Sequence, residues 1–368
     1  MRVVNYGEES VPAVAAFNAR IQKNFPGLKF PEASVSVSLP KLPGRELYQE
    51  YYVALDDGGA VRGAYILKHQ AFFIKGRVVS IADWQLPISE GICDTKYRYL
   101  GASLLYDALK KQPLLYGLGM GGMGEPLPRM LKGAGWSFYP VPFFFRINSA
   151  FNFLRNIAFL RRRPARRLAL DFLAFSGLGW LGNSLAHAVL SKSASGKTLC
   201  ENFESFQEWA DELWEDSKAS YGLCAVRDAK TLNILYPSAD RRFIKIRVFN
   251  GGRLLGWAVM LDTRMERHKQ FGAMRVGSIV DCMARPEDAG EVMAAAADVL
   301  LGRGTDIIVS NQLHHAWGKA LKRAGFLSGP TNFLFAVSKP LASLLQPVDA
   351  GQIDMHMNRG DGDGPINL

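Results

Sequence analysis

The chain has 368 residues, of which 48% are hydrophobic, and its lysines and arginines exceed its carboxylates to give a net charge of +10. This length and apolar content suit two domains with buried cores. The cysteines (Cys93, Cys200, Cys224 and Cys282) form no C-x-x-C pair, which argues against a disulfide framework or a zinc site and favours a reducing compartment. Because Met1 to Glu9 contain no apolar run of a signal peptide, we expect a cytoplasmic protein.

The positive charge is concentrated in one stretch. Between Phe143 and Cys200, nine lysines and arginines accompany a single carboxylate, Asp171. Such a local excess predicts a local anionic partner rather than a basic coat over the whole chain. We therefore expect no nucleic-acid partner.

The first half of the chain predicts helices and strands in a defined order. A helix at Val11 to Lys23 and a loop containing prolines precede a β-hairpin that turns at Asp57-Gly58. The elements that follow are a strand at Val78 to Leu86, an amphipathic helix from Gly101 to Leu109, a strand at Leu114 to Leu118, a helix at Pro126 to Ala134 and a closing strand at Phe143 to Ile147.

The second half predicts the same order after residue 200, ending in a closing strand at Leu334 to Val337. Three segments of the first half recur in order: Asp57-Gly58 as Asn250-Gly251, Ser80 to Asp83 as Ser278 to Asp281, and Leu131 to Trp136 as Leu321 to Phe326. The pattern predicts one small α/β unit that occurs twice.

The two copies differ at one helix start. A helix N-terminus offers unpaired N–H groups and a positive dipole end, so it favours an anion. In the first copy, Arg98 to Ser103 supply a cation, a glycine and a hydroxyl, with no carboxylate in the first turn. In the second copy, Pro286 removes an N–H, and Glu287 and Asp288 compensate the dipole and repel phosphate. Only the first copy is predicted to hold a pyrophosphate.

This arrangement of a strand, a loop, an R-x-x-G-x-S helix start and a later helix ending in Gly-aromatic resembles the GNAT superfamily of acyl-CoA N-acyltransferases. The resemblance covers about residues 47–147 and 203–337 and extends to duplicated Fem-type and surface-polysaccharide transferases. It implies an α/β (α+β) fold of two GNAT-like units, each a mixed, mostly antiparallel sheet flanked by helices. It implies domains at 1–147 and 201–346, with a basic amphipathic helical insert at 148–200.

The resemblance also implies site residues. Arg98 matches the first position of the family's motif and Gly101 its central glycine, while Ser103 stands where Gly or Ala is usual. Backbone N–H groups of this turn hold the CoA pyrophosphate in the family, and the preceding strand pairs with the pantetheine arm. The implied binding residues for acetyl-CoA or another acyl-CoA are Gln85, Leu86, Arg98, Tyr99, Leu100, Gly101, Ala102 and Ser103.

Acyl transfer to an amine needs a base for the attacking nitrogen and an acid for the leaving thiolate. Asp83 and Glu90 are the candidate bases. Because Asp281 repeats Asp83, a bracing role in both copies stays open. The family's usual acid is a tyrosine at the position of Leu131 or Leu321, so neither copy has it. Tyr97, Tyr99 and Tyr106 are possible substitutes, and nothing in the sequence selects one of them.

Two other motifs predict structure rather than cofactor sites. Gly117, Gly119 and Gly122 lack the later acidic residue of a dinucleotide fingerprint, so we interpret them as a bend. His314-His315 lack a carboxylate partner at metal spacing, which favours a surface role at a helix start over metal binding. We expect no metal.

The insert joins the basic segment Arg161 to Arg167 to an apolar segment, Leu168 to Leu190. Three interpretations remain open for 151–190: binding at an anionic membrane surface, packing between the units, and spanning a bilayer. The polar segment Pro347 to Leu368 is expected to be a disordered tail.

The sequence predicts an N-acyltransferase that moves an acyl group, acetyl in the first instance, from acyl-CoA to a small-molecule amine such as an amino sugar in surface-polysaccharide synthesis. The second copy would shape the acceptor site, and the protein would lie at the inner face of the membrane. The alternatives are a Fem-like transferase using aminoacyl-tRNA and a non-catalytic, membrane-tethered scaffold.

Overall fold

The computed structural model describes residues 1–32, 39–158, 160–176 and 198–362. The chain forms two compact units, which we call unit 1 (Met1–Tyr139 with Leu334–Gln346) and unit 2 (Pro140–Phe333 with Pro347–Leu368). Residues 159 and 177–197 of the predicted insert and 363–368 of the predicted tail lie outside the described residues. No helix in the described part of the chain combines the length and the hydropathy that crossing a membrane requires.

Helices and strands are numbered along the chain. The helices are α1 (Val11–Gln22), α2 (Leu100–Lys111), α3 (Pro126–Gly133), α4 (Ala150–Asn156), α5 (Pro164–Phe175), α6 (Glu208–Lys218), α7 (Ala229–Leu235), α8 (Ala289–Gly302), α9 (His315–Arg323) and α10 (Lys339–Leu345). The strands are β1 (Arg2–Asn5), β2 (Tyr48–Leu55), β3 (Val61–Ile74), β4 (Arg77–Ser89), β5 (Leu115–Leu118), β6 (Ser137–Pro140), β7 (Phe143–Ile147), β8 (Thr198–Asn202), β9 (Leu223–Ala225), β10 (Ile244–Asn250), β11 (Arg253–Arg264), β12 (Arg275–Ala284), β13 (Ile307–Asn311), β14 (Leu327–Gly329), β15 (Leu334–Val337) and β16 (Met355–His356).

The sheet of unit 1 has the strand order β1-β2-β3-β4-β5-β15-β6. Its first four strands are antiparallel neighbours, and β5 runs parallel to β4. Helix α1 buries its apolar side against one face, and α2 buries Leu104, Leu105 and Ala108 against the other. The i, i+3, i+4 spacing that predicted an amphipathic helix after Gly101 therefore places α2 on the sheet.

The sheet of unit 2 has the strand order β14-β7-β13-β12-β11-β10-β8. Strand β13 is the parallel neighbour of β12, and the other pairs are antiparallel. Helix α8 covers the sheet where glycines allow it to come close: a Cβ at Gly256 would meet the Val292 side chain, and one at Gly277 that of Leu300. In both units a helix thus follows the first strand of a parallel pair, β4 with β5 and β12 with β13, beside antiparallel strands.

The sequence predicts that β7 closes the sheet of the first copy and β15 that of the second, but each strand belongs to the sheet of the other unit. Strand β7 pairs with β13 and β14 in unit 2, and β15 pairs with β5 in unit 1. Both segments are short and apolar, and periodicity indicates a buried strand without indicating its partner.

The expectation of a disordered tail from Pro347 is corrected for part of it. Met355 and His356 form β16 and pair with β9, and Arg359–Asp361 form a 3-10 turn that Asn358 caps. Met355, Asn358 and Asp361 are buried. The composition of the tail did not predict this ordered segment, because a few buried hydrogen bonds and ion pairs hold it in place and it has no apolar periodicity.

Candidate active site

Strands β4 and β5 of unit 1 separate soon after they meet. Their parallel pairing covers Ala82 with Leu115 and Asp83 with Tyr116. Further along β4, Leu86 adopts a left-handed backbone conformation (φ 47°), and the pairing with β3 shifts by one residue. Pro87 follows and has no N–H to donate. This β-bulge turns the end of β4 away from the ladder, and the two parallel strands diverge from Asp83 onward.

Helix α2 begins after the end of β4, behind a 3-10 turn at Thr95–Tyr97. No side chain caps its N-terminus, and no acidic residue lies in its first turn. Arg98, Tyr99, Ala102 and Ser103 are exposed, whereas Gly101 is half-buried and Leu100 is buried in the core. The first turn is therefore accessible, with a guanidinium beside it and no carboxylate among its own residues.

Two details refine the predicted binding residues. A Cβ at Gly101 would lie 3.4 Å from Met130 Sδ, an ordinary contact, so internal packing alone does not require glycine there. The Ser103 hydroxyl donates to the Tyr99 carbonyl oxygen over 3.2 Å, within the turn itself. The positively charged group at this helix start is Arg98, whose guanidinium lies 4.7 Å from the centre of the Tyr99 ring.

Asp83 is 1% exposed and lies at the point where β4 and β5 diverge. Its Oδ2 accepts a hydrogen bond from Gln85 Nε2 at 3.0 Å, and Gln49 Nε2 donates to Gln85 Oε1 at 2.9 Å. The Tyr51 hydroxyl donates to Gln49 Oε1 at 3.0 Å, and burial raises the pKa of Tyr51. The sequence reasoning missed Gln49 and Tyr51, which no motif marks, because strand pairing alone brings them to Asp83.

Glu90 is buried and bound by two guanidiniums. Arg20 Nε donates to Oε1 at 2.7 Å, and Arg62 Nη1 lies 3.2 Å from both carboxylate oxygens. Because two guanidiniums bind this carboxylate, it resembles a structural ion pair rather than a general base. Of the two candidate bases, Asp83 is the one that lies where the strands diverge.

The tyrosines considered as acids occupy different surroundings. Tyr97 is buried beneath the Arg62 guanidinium, which lies 5.0 Å from its ring centre. Tyr99 and Tyr106 are 70% and 63% exposed. Leu131 is fully buried in the core of unit 1, so the family's usual acid position is filled by packing.

In unit 2 the pairing of β12 with β11 shifts at Val280, directly before Asp281, whereas in unit 1 the shift comes after Asp83, at Leu86 and Pro87. Asp281 accepts hydrogen bonds from Arg227, Asn358 and Tyr236 at 2.8 to 3.0 Å. Burial lowers the pKa of Arg227, but the carboxylates of Asp281 and Asp361 outweigh it and raise that pKa above its ordinary value. Asp281 is thus the centre of a buried network to which the tail contributes Asn358 and Asp361.

The start of helix α8 in unit 2 differs from that of α2 in its acidic residues. Arg253 donates to both oxygens of Asp288 at 2.8 and 2.9 Å, and Pro286 lies in the turn before the helix. No side chain caps either helix start, so the two differ in charge and not in capping.

The remaining sequence motifs have structural roles. Burial and the neighbouring His315 lower the pKa of His314 to about 3. His314 Nδ1 accepts from the Ala316 N–H at 3.1 Å and so caps α9 from a buried position rather than at the surface. Within the described residues no group of three His, Cys, Asp or Glu side chains could hold a metal ion. Gly119 and Gly121 have positive φ in the bend after β5.

No family model matches the chain, and no curated protein sequence matches it. Solved structures do. N-myristoyltransferase of Saccharomyces cerevisiae with bound myristoyl-CoA matches with a TM-score of 0.53 and 9% identity over 91% of this chain and 78% of that one. This chain has the GNAT-type N-acyltransferase fold.

Two further structures agree with that fold. A probable N-acyltransferase of unknown function from Enterococcus faecalis V583 has a TM-score of 0.51 and 11% identity over 93% of this chain and 73% of that one. A GCN5-related N-acetyltransferase from Anabaena variabilis has a TM-score of 0.51 and 8% identity over 91% and 72%. The matches include both units, and the predicted fold class is confirmed. Identities this low establish the fold alone, so the reaction has to be argued from the site.

Proposed function

We propose that this protein is an N-acyltransferase that binds an acyl-CoA in unit 1 and transfers the acyl group to an amine. One observation carries the proposal: the divergence of β4 and β5 at the Leu86 bulge is followed by a helix start that is uncapped and accessible. The fold shared with N-acyltransferases supports it.

The two features suit the two parts of the donor. The first turn of α2, with Arg98, favours the pyrophosphate. The pairing of β4 with β5 covers Ala82 and Asp83, and we propose that the next segment of β4, from Gln85 to the Leu86 bulge, runs along the amide groups of a pantetheine arm. We propose Gln85, Leu86 and the segment Arg98 to Ser103 as the donor site.

The reaction needs no metal and no redox partner. The amine nitrogen attacks the thioester carbonyl carbon, the C–N bond forms, and the C–S bond breaks. The nitrogen loses a proton, and the departing sulfur takes one up. We assign the first proton to Asp83, directly or through one water, because its carboxylate accepts a hydrogen bond from Gln85, which Gln49 in turn orients. For the acceptor we propose an amine of the amino-sugar class, which rests on the resemblance to surface-polysaccharide transferases.

The test is calorimetric titration with CoA thioesters of increasing chain length, starting from acetyl-CoA. Gly101→Glu places a carboxylate in the first turn of α2, and we expect it to weaken binding by more than about tenfold. Gly290→Glu is the matched control, because Gly290 is also the second residue of its helix and a Cβ there meets nothing within 4 Å. Equal effects of the two variants, or no binding by the wild type, would refute the donor site.

A second candidate function is a non-catalytic binding protein, and the filled position of Leu131 favours it. Release of free CoA thiol in the presence of amino sugars and other amines separates the two. Binding of acyl-CoA without thiol release for any amine would select the second candidate.

A further inference from the structure

Helix α5 turns an apolar face to solvent. Leu168 is 72% exposed, Phe172 66% and Phe175 68%. Their spacings of four and three residues place them on one side of the helix. Phe151 of α4 is also exposed, and its ring centre lies 5.6 Å from that of Phe175. We call these four side chains the Phe172 face.

The orientation of this face is fixed by contacts within unit 2. Asp171 lies on α5 three residues after Leu168 and four before Phe175, and it accepts hydrogen bonds from Arg161 at 2.7 and 3.1 Å and from Arg155 at 3.2 Å. Helix α4 in turn is followed by the buried Ile157, which packs with Phe271 and Met274. These contacts attach the two helices to the unit, and Leu168, Phe172 and Phe175 remain exposed beside the neutralised Asp171.

Four exposed arginines lie in the first turn of α5 and just before it, and one of them, Arg167, interacts electrostatically with the Asp171 carboxylate. Arg162, Arg163, Arg166 and Arg167 are exposed. Within the described residues none of these four forms an ion pair, and the carboxylate of this stretch, Asp171, is bound by Arg155 and Arg161. A face of large apolar side chains bordered by exposed arginines is complementary to a surface that is apolar inside and anionic at its edge.

We propose that the Phe172 face and its four arginines dock this protein on an anionic lipid bilayer, with the rings among the acyl chains and the guanidiniums among the headgroups. The helix has 12 residues, or about 18 Å at ~1.5 Å per residue, which is too short for a hydrocarbon core of about 30 Å. It therefore lies in the interface. A nucleic acid would pair with the arginines and leave the rings in water, so the apolar side argues for lipid.

The first experiment is co-sedimentation of the full chain with phosphatidylcholine vesicles, with and without phosphatidylserine, at low and high salt. We expect binding only with phosphatidylserine, weakened by salt. Arg166→Glu with Arg167→Glu should weaken it by more than about tenfold, and Phe172→Ser should weaken it without changing its salt dependence. Lys322→Glu and Leu301→Ser change an exposed cation and an exposed leucine elsewhere in unit 2 and serve as controls.

The second experiment tests whether lipid, rather than another part of the chain or another protein, covers the Phe172 face. The emission of Phe172→Trp, taken as a difference from the wild type, should shift to the blue on phosphatidylserine vesicles and be quenched by brominated acyl chains. A tryptophan already shielded from iodide without vesicles would show that residues 177–197 or another protein cover the face. That result, equal binding to both vesicle types, or no binding to either would overturn the proposal. None of these readouts depends on acyl transfer.

Discussion

In both units a parallel strand pair is followed by a helix, but the residues around the end of the first strand differ between the units. In unit 1, β4 and β5 diverge at Asp83, and the following helix begins uncapped beside Arg98. In unit 2, Asp281 follows the bulge at Val280, Asn358 and Asp361 of the tail join its network, and Asp288 at the start of the following helix binds Arg253. The same combination of a parallel strand pair and a following helix thus carries an exposed helix start in unit 1 and a buried ionic network in unit 2.

The largest expected difference concerns the two matched aspartates. Asp83→Asn should lower kcat/KM for acyl transfer by about 10²- to 10⁴-fold while acyl-CoA binding persists, since a general base is removed and the hydrogen bond from Gln85 can remain. Steady-state thiol release and calorimetry measure the two effects. A folded Asp83→Asn protein with wild-type turnover would give this residue the bracing role instead.

Asp281→Asn should act on stability rather than on turnover. It leaves the Arg227 guanidinium buried with one carboxylate, Asp361, so we expect a loss of roughly 3–5 kcal/mol in the free energy of unfolding. Urea denaturation followed by circular dichroism measures this loss. A stability within about 0.5 kcal/mol of the wild type, the usual range for a surface substitution, would show that the network does not stabilise the fold as its geometry suggests.

The next effect is the response of unit 2 to acid. The pKa of His314 is lowered in the folded state to about 3, so the folded protein favours the neutral ring, and stability should fall as the pH drops below the ordinary value near 6.5. His314→Asn keeps a capping side chain without a titrating group. Thermal melts between pH 7 and pH 4 should show a flatter decline for this variant, and an unchanged slope would contradict the assignment.

The smallest effect concerns the arginines that precede the two helix starts. Arg98→Gln should weaken acyl-CoA binding by about two- to fivefold, as expected for an exposed charge pair. Arg285 is paired with Asp216 at 3.3 Å, so Arg285→Gln should leave the affinity unchanged. Equal affinities of the two variants, measured by calorimetry at low salt, would remove Arg98 from the donor site.

Residue types and their spacing along the sequence predicted much of the fold and of the candidate site. The spacing of Leu104, Leu105 and Ala108 indicated the helix that covers the first sheet, and the absence of acid between Arg98 and Ser103 distinguished its start from Pro286 to Asp288. The position of Asp83 on the strand before the bulge was also predictable. These features depend on neighbours along the chain, which is why inspection of the sequence finds them.

The sequence by itself determined the elements, their order and the difference between the two helix starts. Only the tertiary structure decided that Arg20 and Arg62 bind Glu90 from 70 and 28 residues away, that β7 and β15 pair in the sheets they do, and that the tail joins Asp281. Periodicity, caps and turns act over a few residues, whereas ion pairing and strand pairing depend on which distant groups the fold brings within about 3 Å.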